Sequence, residues 1–244
     1  MEKKEYIYEI EKFKKEASQF GISLTEQQTD QFVTYYEMLV EKNKVMNLTG
    51  ITEFSQVLKK HFVDSLAVAK VVDLHKISAG IDIGTGAGFP GLPLKIAFPH
   101  LQITLLDSLK KRLVFLDEVI QELQLSGIST LHGRAEDFSR NGDYREQYDF
   151  CVSRAVANLS TLSEYCLPYV KTGGIFVSYK SGKVQEEMKQ SENAVKLLGG
   201  KLEEPVLFSL PDSDIDRSFV IIKKITTNPK KSPRKAGVPG KNPL

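Results

Sequence analysis

Apolar positions along the chain follow two different spacings, one over residues 1–78 and another from residue 79 onward. In the first stretch they recur at steps of three or four, which is the spacing of amphipathic helices. Thr25-x-x-Gln28 fits a capping box and predicts that a helix begins there. We therefore expect a first helix that ends near Gly21, a second that continues towards Gly50, and shorter helices over 53–60 and 64–74.

From residue 79 onward, short apolar runs alternate with amphipathic segments, which is typical of a parallel sheet covered by helices on both faces. Only Pro211-Asp212-Ser213-Asp214 separates the last two apolar runs, so these can pair only as an antiparallel hairpin. The pattern predicts an α/β fold with a Rossmann-like seven-stranded sheet. The predicted strands are 80–84, 102–107, 128–132, 147–152, 174–180, 204–210 and 217–225, with helices near 90–98, 110–124, 158–169 and 184–198.

These spacings divide the chain into an N-terminal helical cap over residues 1–78, a sheet domain over 79–225 and a tail over 226–244. The net charge of +2 is unevenly distributed, because the segment from Arg217 to the end contains eight Lys and Arg but no Asp or Glu. The tail is rich in Pro and Gly, so we expect no regular helix or inner strand in it. It is either a solubilising disordered tail or a basic strap that binds nucleic-acid phosphates.

Several classes of protein are disfavoured by composition. No apolar run approaches the roughly 20 residues that cross a bilayer, and the charged N-terminus leads into no apolar signal core. We therefore expect a cytoplasmic protein with no membrane partner. Cys151 and Cys166 are too few and too far apart for a zinc site, so we expect both to be core residues and predict no metal.

A glycine-rich turn carries the strongest chemical signal. Asp82-Ile83-Gly84-Thr85-Gly86-Ala87-Gly88 reads as a buried strand and a turn, and Asp107 ends the next strand. Glycines allow a ligand to approach the backbone, while the second carboxylate accepts hydrogen bonds from ribose hydroxyls. Two ligand classes fit this arrangement, nicotinamide dinucleotides and S-adenosylmethionine.

The position of the turn favours S-adenosylmethionine. Dinucleotide-binding glycines normally follow the first strand near the start of a domain, whereas about 80 residues precede this turn. Asp82 also supplies the acidic residue that opens the (Asp/Glu)-x-Gly-x-Gly-x-Gly pattern of class I methyltransferases. An NAD-dependent oxidoreductase remains the alternative enzyme, and a non-catalytic RNA-binding protein with a vestigial pocket is a third interpretation.

Ligands of open parallel sheets bind beyond the carboxyl ends of the strands, so the residues at those ends form the candidate site. We expect the glycine turn to approach the cofactor, Asp107 to bind its ribose, and groups after the third strand to hold the adenine edge. The candidates, in strand order, are Gly84, Gly86, Gly88 and Phe89, then Asp107, then Ala135 and Glu136, then Arg154, then Lys180.

The fourth strand ends in Ser153-Arg154-Ala155, which lacks the Pro-Pro-aromatic motif of exocyclic-amine methyltransferases. Methyltransferases that act on cytosine carbon 5 need a nucleophilic Cys after a Pro, and no Pro-Cys occurs in the chain. An arginine suits nitrogen 7 of guanine, because that atom carries a lone pair and no proton, so only alignment is required. Guanidinium donors also pair with the oxygen on the same edge of guanine. We predict that Arg154 positions the substrate; the alternative is a structural salt bridge to a carboxylate at the sheet end.

The motifs at the strand ends occur together with others along the chain. The set comprises Asn47-Leu48-Thr49-Gly50-Ile51, His61-Phe62-Val63-Asp64-Ser65-Leu66, the block from Asp82 to Leu94, Asp107-Ser108 with Lys111-Arg112, Arg134-Ala135-Glu136, Ser153-Arg154-Ala155 and the Pro-Arg-Lys tail. In combination these motifs resemble the RsmG family, formerly GidB, of bacterial 16S ribosomal RNA guanine-N(7) methyltransferases. The resemblance implies a class I S-adenosylmethionine-dependent methyltransferase that binds its cofactor at Gly84, Phe89, Ala135, Glu136 and Arg154.

The same resemblance implies that the substrate is a guanosine near the decoding site, in 16S rRNA or a small ribosomal subunit particle. We accordingly favour the strap interpretation of the tail and expect its removal to weaken RNA binding while leaving cofactor affinity unchanged. His61 and Asp64 either pin the cap to the sheet or contact the cofactor or RNA. The predicted RNA contacts are Arg154, Lys180, Arg217, Arg234 and Lys235.

Overall fold

The computed structural model describes residues 3–140 and 142–244, so the first two residues of the predicted cap and Asn141 lie outside the described residues. Eight strands form one sheet in that part of the chain. They are β1 (Ala79–Ile83), β2 (Gln102–Asp107), β3 (Ile128–His132), β4 (Tyr148–Arg154), β5 (Val170–Lys180), β6 (Gly200–Leu202), β7 (Val206–Ser209) and β8 (Asp216–Lys224). Their order is β3-β2-β1-β4-β5-β8-β6, and β7 pairs with β8 beside β6.

Ten α-helices accompany this sheet within the described ranges, four of them of at least thirteen residues. They are α1 (Lys3–Ser18), α2 (Glu26–Met46), α3 (Phe54–Val57), α4 (Asp64–Leu66), α5 (Gly91–Ala97), α6 (Lys110–Glu122), α7 (Ala135–Phe138), α8 (Leu159–Cys166), α9 (Gln185–Leu197) and α10 (Val238–Lys241). The capping box at the start of α2 is present, because Thr25 and Gln28 bond each other's backbone N–H groups.

The predicted α/β architecture is confirmed, with β1 to β5 parallel and β8 antiparallel to β5. The predicted count of seven strands is wrong, because the segment beside β8 consists of two short strands, β6 and β7. Leu202 pairs with Ile222 of β8, and Val206 pairs with Phe219. Between these two pairs the segment advances by four residues, whereas β8 advances by three. The interruption is a one-residue bulge that contains Pro205, which has no N–H to donate to the ladder.

The segment after Gly50 also differs from its prediction. One continuous helical stretch runs from α3 through a π-helical segment (Leu58–Val63) to α4 and a 3-10 turn (Ala67–Lys70), with no break between residues 60 and 64. No Gly or Pro interrupts this stretch, and its apolar residues Leu58, Phe62, Val63 and Leu66 are buried, so continued helix serves the core.

Two apolar cores cover the two faces of the sheet. On one face Leu105 and Val152 pack with cap residues such as Phe32. On the other, Cys151 and Cys166 lie in a core between the sheet and helices α8 and α9, and both are unpaired and buried, as expected. The cap therefore shares a core with the sheet. Its Asp64 contacts Arg154 at the carboxyl end of β4. The division at residues 78 and 225 stays a prediction.

The tail lies against the sheet domain. The prediction that it contains no regular helix is wrong, because residues Val238–Lys241 form the short helix α10, with Pro239 in its first turn, where a proline is tolerated. Arg145 donates hydrogen bonds to three tail carbonyls, those of Asn228, Pro229 and Ser232. These contacts oppose the interpretation of the tail as a disordered solubilising segment. In the residues that the structure describes, no helix is long and apolar enough to cross a membrane.

Candidate cofactor-binding site

A cavity of about 550 Å³ opens at the carboxyl ends of β1 to β4, within the size range of small-molecule sites. Four of the predicted cofactor residues line it, namely Gly84, Asp107, Ala135 and Glu136. The structure therefore brings together residues that end or follow three different strands, as the sequence led us to expect. The other lining residues include Ser108, Arg112, Asn158, Thr161, Tyr165 and Gly240, of which Ser108 and Arg112 belong to the motifs that carry the family resemblance.

The glycine turn requires a backbone that other residues rarely adopt. Gly84 and Gly86 have φ angles of +73° and +62°. A Cβ at Gly84 would lie 2.5 Å from the Cγ2 of Val156, so a side chain there would clash with the opposite cavity wall. Gly86 does not line the cavity, but its N–H donates to Asp107 Oδ2 at 2.9 Å and thereby joins the turn to β2.

Asp107 is buried at the cavity wall and organises the loops around it. Its Oδ1 accepts from the Leu109 N–H at 2.8 Å, its Oδ2 accepts from Gly86, and Arg112 lies 3.4 Å from Oδ2. A carboxylate oxygen can accept more than one hydrogen bond. Asp107 can therefore hold the loops and still accept a hydrogen bond from a ligand hydroxyl.

Asp82 lies behind the turn and holds it in shape. Its Oδ2 accepts from Thr85 Oγ1 at 2.7 Å and from the Gly91 N–H at 2.9 Å. Its Oδ1 is buried without a hydrogen-bond partner among the described residues. Burial raises the pKa of Asp82 to about 6, although the hydrogen bonds from Thr85 and Gly91 and the charge of Arg154 oppose this shift.

Gly88 and Phe89 do not line the cavity, contrary to prediction. A Cβ at Gly88 would lie 2.7 Å from the hydroxyl of Tyr35 and 2.9 Å from Leu116, so this glycine allows the turn to pack closely against the cap. Phe89 is buried, and its ring stacks on His61 with centroids 4.5 Å apart. Both residues belong to the contact between the turn and the cap.

Arg154, which was also predicted to bind the cofactor, does not line the cavity; it lies in a polar cluster where β4 meets the cap. Its Nη1 donates to Asp64 Oδ2 at 2.8 Å and to the Lys60 carbonyl at 3.3 Å, and its Nη2 is 3.4 Å from His61 Nδ1. The guanidinium also lies over the ring of Phe89, 5.0 Å from the centroid. The predicted alternative of a salt bridge is thus observed, but its carboxylate comes from the cap and not from the sheet.

Asp64 joins two arginines in this cluster, because its Oδ1 accepts from Arg217 Nε at 2.7 Å. The predicted role of Asp64 in holding the cap to the sheet is therefore supported by its contacts. His61 Nε2 is 2.7 Å from Thr49 Oγ1. Burial, and after it the charge of Arg154, lowers the pKa of His61 to about 4, so the imidazole is neutral at pH 7.

The remaining side chains that were predicted to bind RNA differ in how far contacts within the protein already occupy them. Lys180 donates to Glu187 at 2.6 Å and to the Ala157 carbonyl at 3.1 Å. Arg234 forms a salt bridge of 2.7 Å with Glu164, which anchors the tail. Lys235 is exposed. Lys180, Arg217 and Arg234 therefore have structural roles within the chain, and their contact with RNA stays a prediction.

Sequence reasoning missed Tyr165 and Glu164, and it named Arg112 only as part of a motif, without a role in the site. Glu164 is fully buried, and it is the charged residue of α8, whose other residues are apolar or carry hydroxyl groups. A carboxylate in an otherwise buried helix was a signal, because such a charge requires a partner. Its partner is 70 residues away in the chain and could not be identified from spacing.

Comparisons with known proteins agree on one family. A family model described as rRNA small subunit methyltransferase G matches residues 28–215. A relative named ribosomal RNA small subunit methyltransferase G, from Lachnoclostridium phytofermentans, is 54% identical over 92% of this chain and 93% of its own. The protein of the same name from Bacillus subtilis is 48% identical, with 96% of this chain and 98% of its own covered.

Solved structures support the fold at low sequence identity. The pre-rRNA processing protein fibrillarin of Methanococcus jannaschii has a TM-score of 0.50 at 15% identity, covering 64% of this chain and 71% of its own. TrmN from Thermus thermophilus also has a TM-score of 0.50 at 15% identity, covering 69% of this chain and 53% of its own. At this identity the similarity concerns the fold alone.

Proposed function

Because the chain belongs to the rRNA small subunit methyltransferase G family, we propose that it transfers a methyl group from S-adenosylmethionine to guanine nitrogen 7 in the decoding-region loop of 16S rRNA. The observation that carries this proposal is the sequence identity of 54% and 48% to the two named relatives, which extends over nearly the whole length of this chain and of each relative. Ribosomal RNA as substrate places the reaction in the cytoplasm. Either 16S rRNA or a small-subunit particle fits as the partner.

The cavity has the residues that such a cofactor needs. A buried carboxylate, Asp107, is available to the ribose hydroxyls, and Glu136 with the backbone near Ala135 is available to the adenine edge. Gly84 lines the cavity, and its positive φ is one that glycine adopts without strain. We propose that these four residues hold the cofactor, while Gly86 and Asp82 keep the turn in place.

The chemistry needs few groups from the protein. The cofactor supplies a methyl group on a positively charged sulfur, and guanine nitrogen 7 has no proton to lose. Neutral His61 is therefore not needed as a base. Alignment in a site that excludes water supplies most of the rate acceleration in such a transfer.

Arg154 is the residue that we propose for alignment of the guanine. A guanidinium carries five N–H groups, and the contacts to Asp64, Lys60 and His61 use three of them. The remaining donors can bind the oxygen of guanine on the edge that carries nitrogen 7. Phe89 and Asp64 hold the guanidinium in place, so its entropy cost on substrate binding is small.

Labelled S-adenosylmethionine provides the direct test. We expect methyl incorporation into 16S rRNA or small subunits from cells that lack this protein, and cleavage mapping should place N(7)-methylguanosine in the decoding-region loop. Absence of incorporation into every form of the small-subunit RNA would contradict the proposal. Calorimetry with S-adenosylhomocysteine and NADH separates it from an oxidoreductase, which would bind only the dinucleotide.

A further inference from the structure

The C-terminal tail contacts the cofactor cavity at several points. Gly240 lines the cavity, and the Pro239 carbonyl accepts from Thr161 Oγ1 at 3.1 Å. A Cβ at Gly240 would lie 3.3 Å from the hydroxyl of Tyr165, so the tail backbone passes close to a second lining residue. The segment expected to bind RNA is thus also part of the cavity wall.

One of these contacts involves a predicted cofactor-binding residue directly. The Gly237 N–H donates to Glu136 Oε1 at 2.8 Å. Glu136 is buried, so this hydrogen bond satisfies one of its carboxylate oxygens and helps to hold it in place. Gly237 itself has a φ of +83°, which glycine adopts without strain.

An ion pair between a half-buried arginine and a fully buried carboxylate anchors the tail just before these contacts. Glu164 accepts from the Arg234 backbone N–H at 2.7 Å and from the Arg234 Nε and Nη2 at 3.0 and 2.7 Å. Glu164 is fully buried, so loss of Arg234 would leave a buried carboxylate without its charge partner. An exposed cation that bound only RNA would not need such an arrangement.

We propose that residues 234–240 are a cofactor-binding element, which completes the cavity and orients Glu136 for the adenosine part of S-adenosylmethionine. The proposal rests on the function proposed above. It replaces the expectation that tail removal leaves cofactor affinity unchanged. Two hydrogen bonds, with Glu136 and Thr161, support it, together with the close approach of Gly240 to Tyr165 and the anchor at Glu164.

Calorimetry with S-adenosylhomocysteine tests this inference without RNA or methyl transfer. A truncation that removes residues 237–244 keeps the Arg234–Glu164 pair but deletes the contacts at the cavity. Arg234→Met removes the anchor and keeps the rest of the tail. Lys231→Met is the matched control, because it removes the same charge from an exposed tail residue.

We expect the Kd for S-adenosylhomocysteine to rise at least about tenfold in the truncated protein and in Arg234→Met. The control should bind as tightly as the unmodified chain. Circular dichroism and the melting temperature without ligand check that the truncated protein is folded, so the test stands even if Arg234→Met is unstable. Equal Kd values in the truncated and unmodified proteins would overturn the inference. Failure of the unmodified chain to bind the ligand would instead contradict the proposed function.

Discussion

Arg154, at the carboxyl end of β4, donates a hydrogen bond of 2.8 Å to Asp64 on the cap. The two residues are separated by 90 positions, and both are largely buried. Because Asp64 also binds Arg217, one carboxylate from the cap holds an arginine from each of two strands. The cap thus orients Arg154, the side chain that we propose aligns the guanine.

Substitution of Asp64 tests this arrangement. Asp64→Asn leaves two arginines without their charge partner, so we expect a loss of about 3–5 kcal/mol in unfolding free energy, measured with urea. Methyl transfer should also fall, because Arg154 loses its orientation. Asp73→Asn is the control, since Asp73 belongs to an exposed pair with Lys76 on the same part of the chain. Equal stability of the Asp64 variant and the unmodified protein would contradict the prediction.

Arg154→Lys tests the need for a planar guanidinium. Lysine keeps the charge but cannot bind Asp64 and guanine at once in a fork geometry. We expect the rate of methyl transfer to fall at least about tenfold, or 1.4 kcal/mol of barrier. Single-turnover assays with saturating cofactor measure this rate, and S-adenosylhomocysteine affinity monitors the cavity. Undiminished transfer would show that only the charge matters.

Asp107→Ala tests the ribose assignment. Removal of a charged acceptor should weaken S-adenosylhomocysteine binding by about 1.5–3 kcal/mol, with an added effect from the loosened Gly86 contact. Calorimetry measures the change. Asp117→Ala on α6 removes an exposed carboxylate that accepts a hydrogen bond from Thr130 and does not line the cavity, so it should leave the affinity unchanged. Equal losses in the two variants would indicate a general charge effect and contradict the assignment.

Gly88→Ala tests the close contact between the turn and the cap. The added methyl group would meet Tyr35 and Leu116 at a φ of +105°, so we expect a stability loss of at least about 2 kcal/mol from overpacking and strain. Gly50→Ala is the control, because nothing lies within 4 Å of an added Cβ there. Thermal unfolding compares the two, and a stable Gly88 variant would refute the packing role.

The lowered pKa of His61 predicts a dependence of stability on pH. In the unfolded chain His61 takes up a proton near pH 6.5, whereas in the folded protein it does so near pH 4. The neutral imidazole therefore makes its full contribution to the free energy of unfolding above pH 6.5. This contribution decreases by on the order of 3 kcal/mol as pH falls towards 4. His61→Asn should lose less stability than the unmodified chain over this window.

The control for that comparison is His132→Asn, because His132 is exposed. It should follow the unmodified chain throughout. Urea unfolding at pH 7 and at pH 4.5 provides the measurement. The pKa of Asp82 is raised to about 6, so its contribution to stability increases as pH falls, opposite to that of His61. The measured quantity is therefore the difference in stability between each variant and the unmodified chain at each pH. Parallel curves for His61→Asn and the unmodified chain would contradict the prediction.

Local sequence patterns determined most of the fold and the cofactor side of the site. The apolar runs of β1 to β5 and the helices between them follow from periodicity, because each element buries one face locally. Gly84, Asp107, Ala135 and Glu136 could be placed together because the carboxyl ends of parallel strands meet at one edge. Pro205, inside a predicted strand, was a local signal of the bulge between β6 and β7.

Tertiary structure alone decided which charges meet. Asp64 pairs with Arg154 and Arg217, and Glu164 pairs with Arg234, across 70 or more positions of the chain. Spacing shows that a buried charge needs a partner, but the partner depends on how the cap and the tail pack against the sheet. For the same reason the sequence suggested an RNA strap, while in the structure Gly240 of that segment lines the cavity and the Gly237 N–H donates to Glu136.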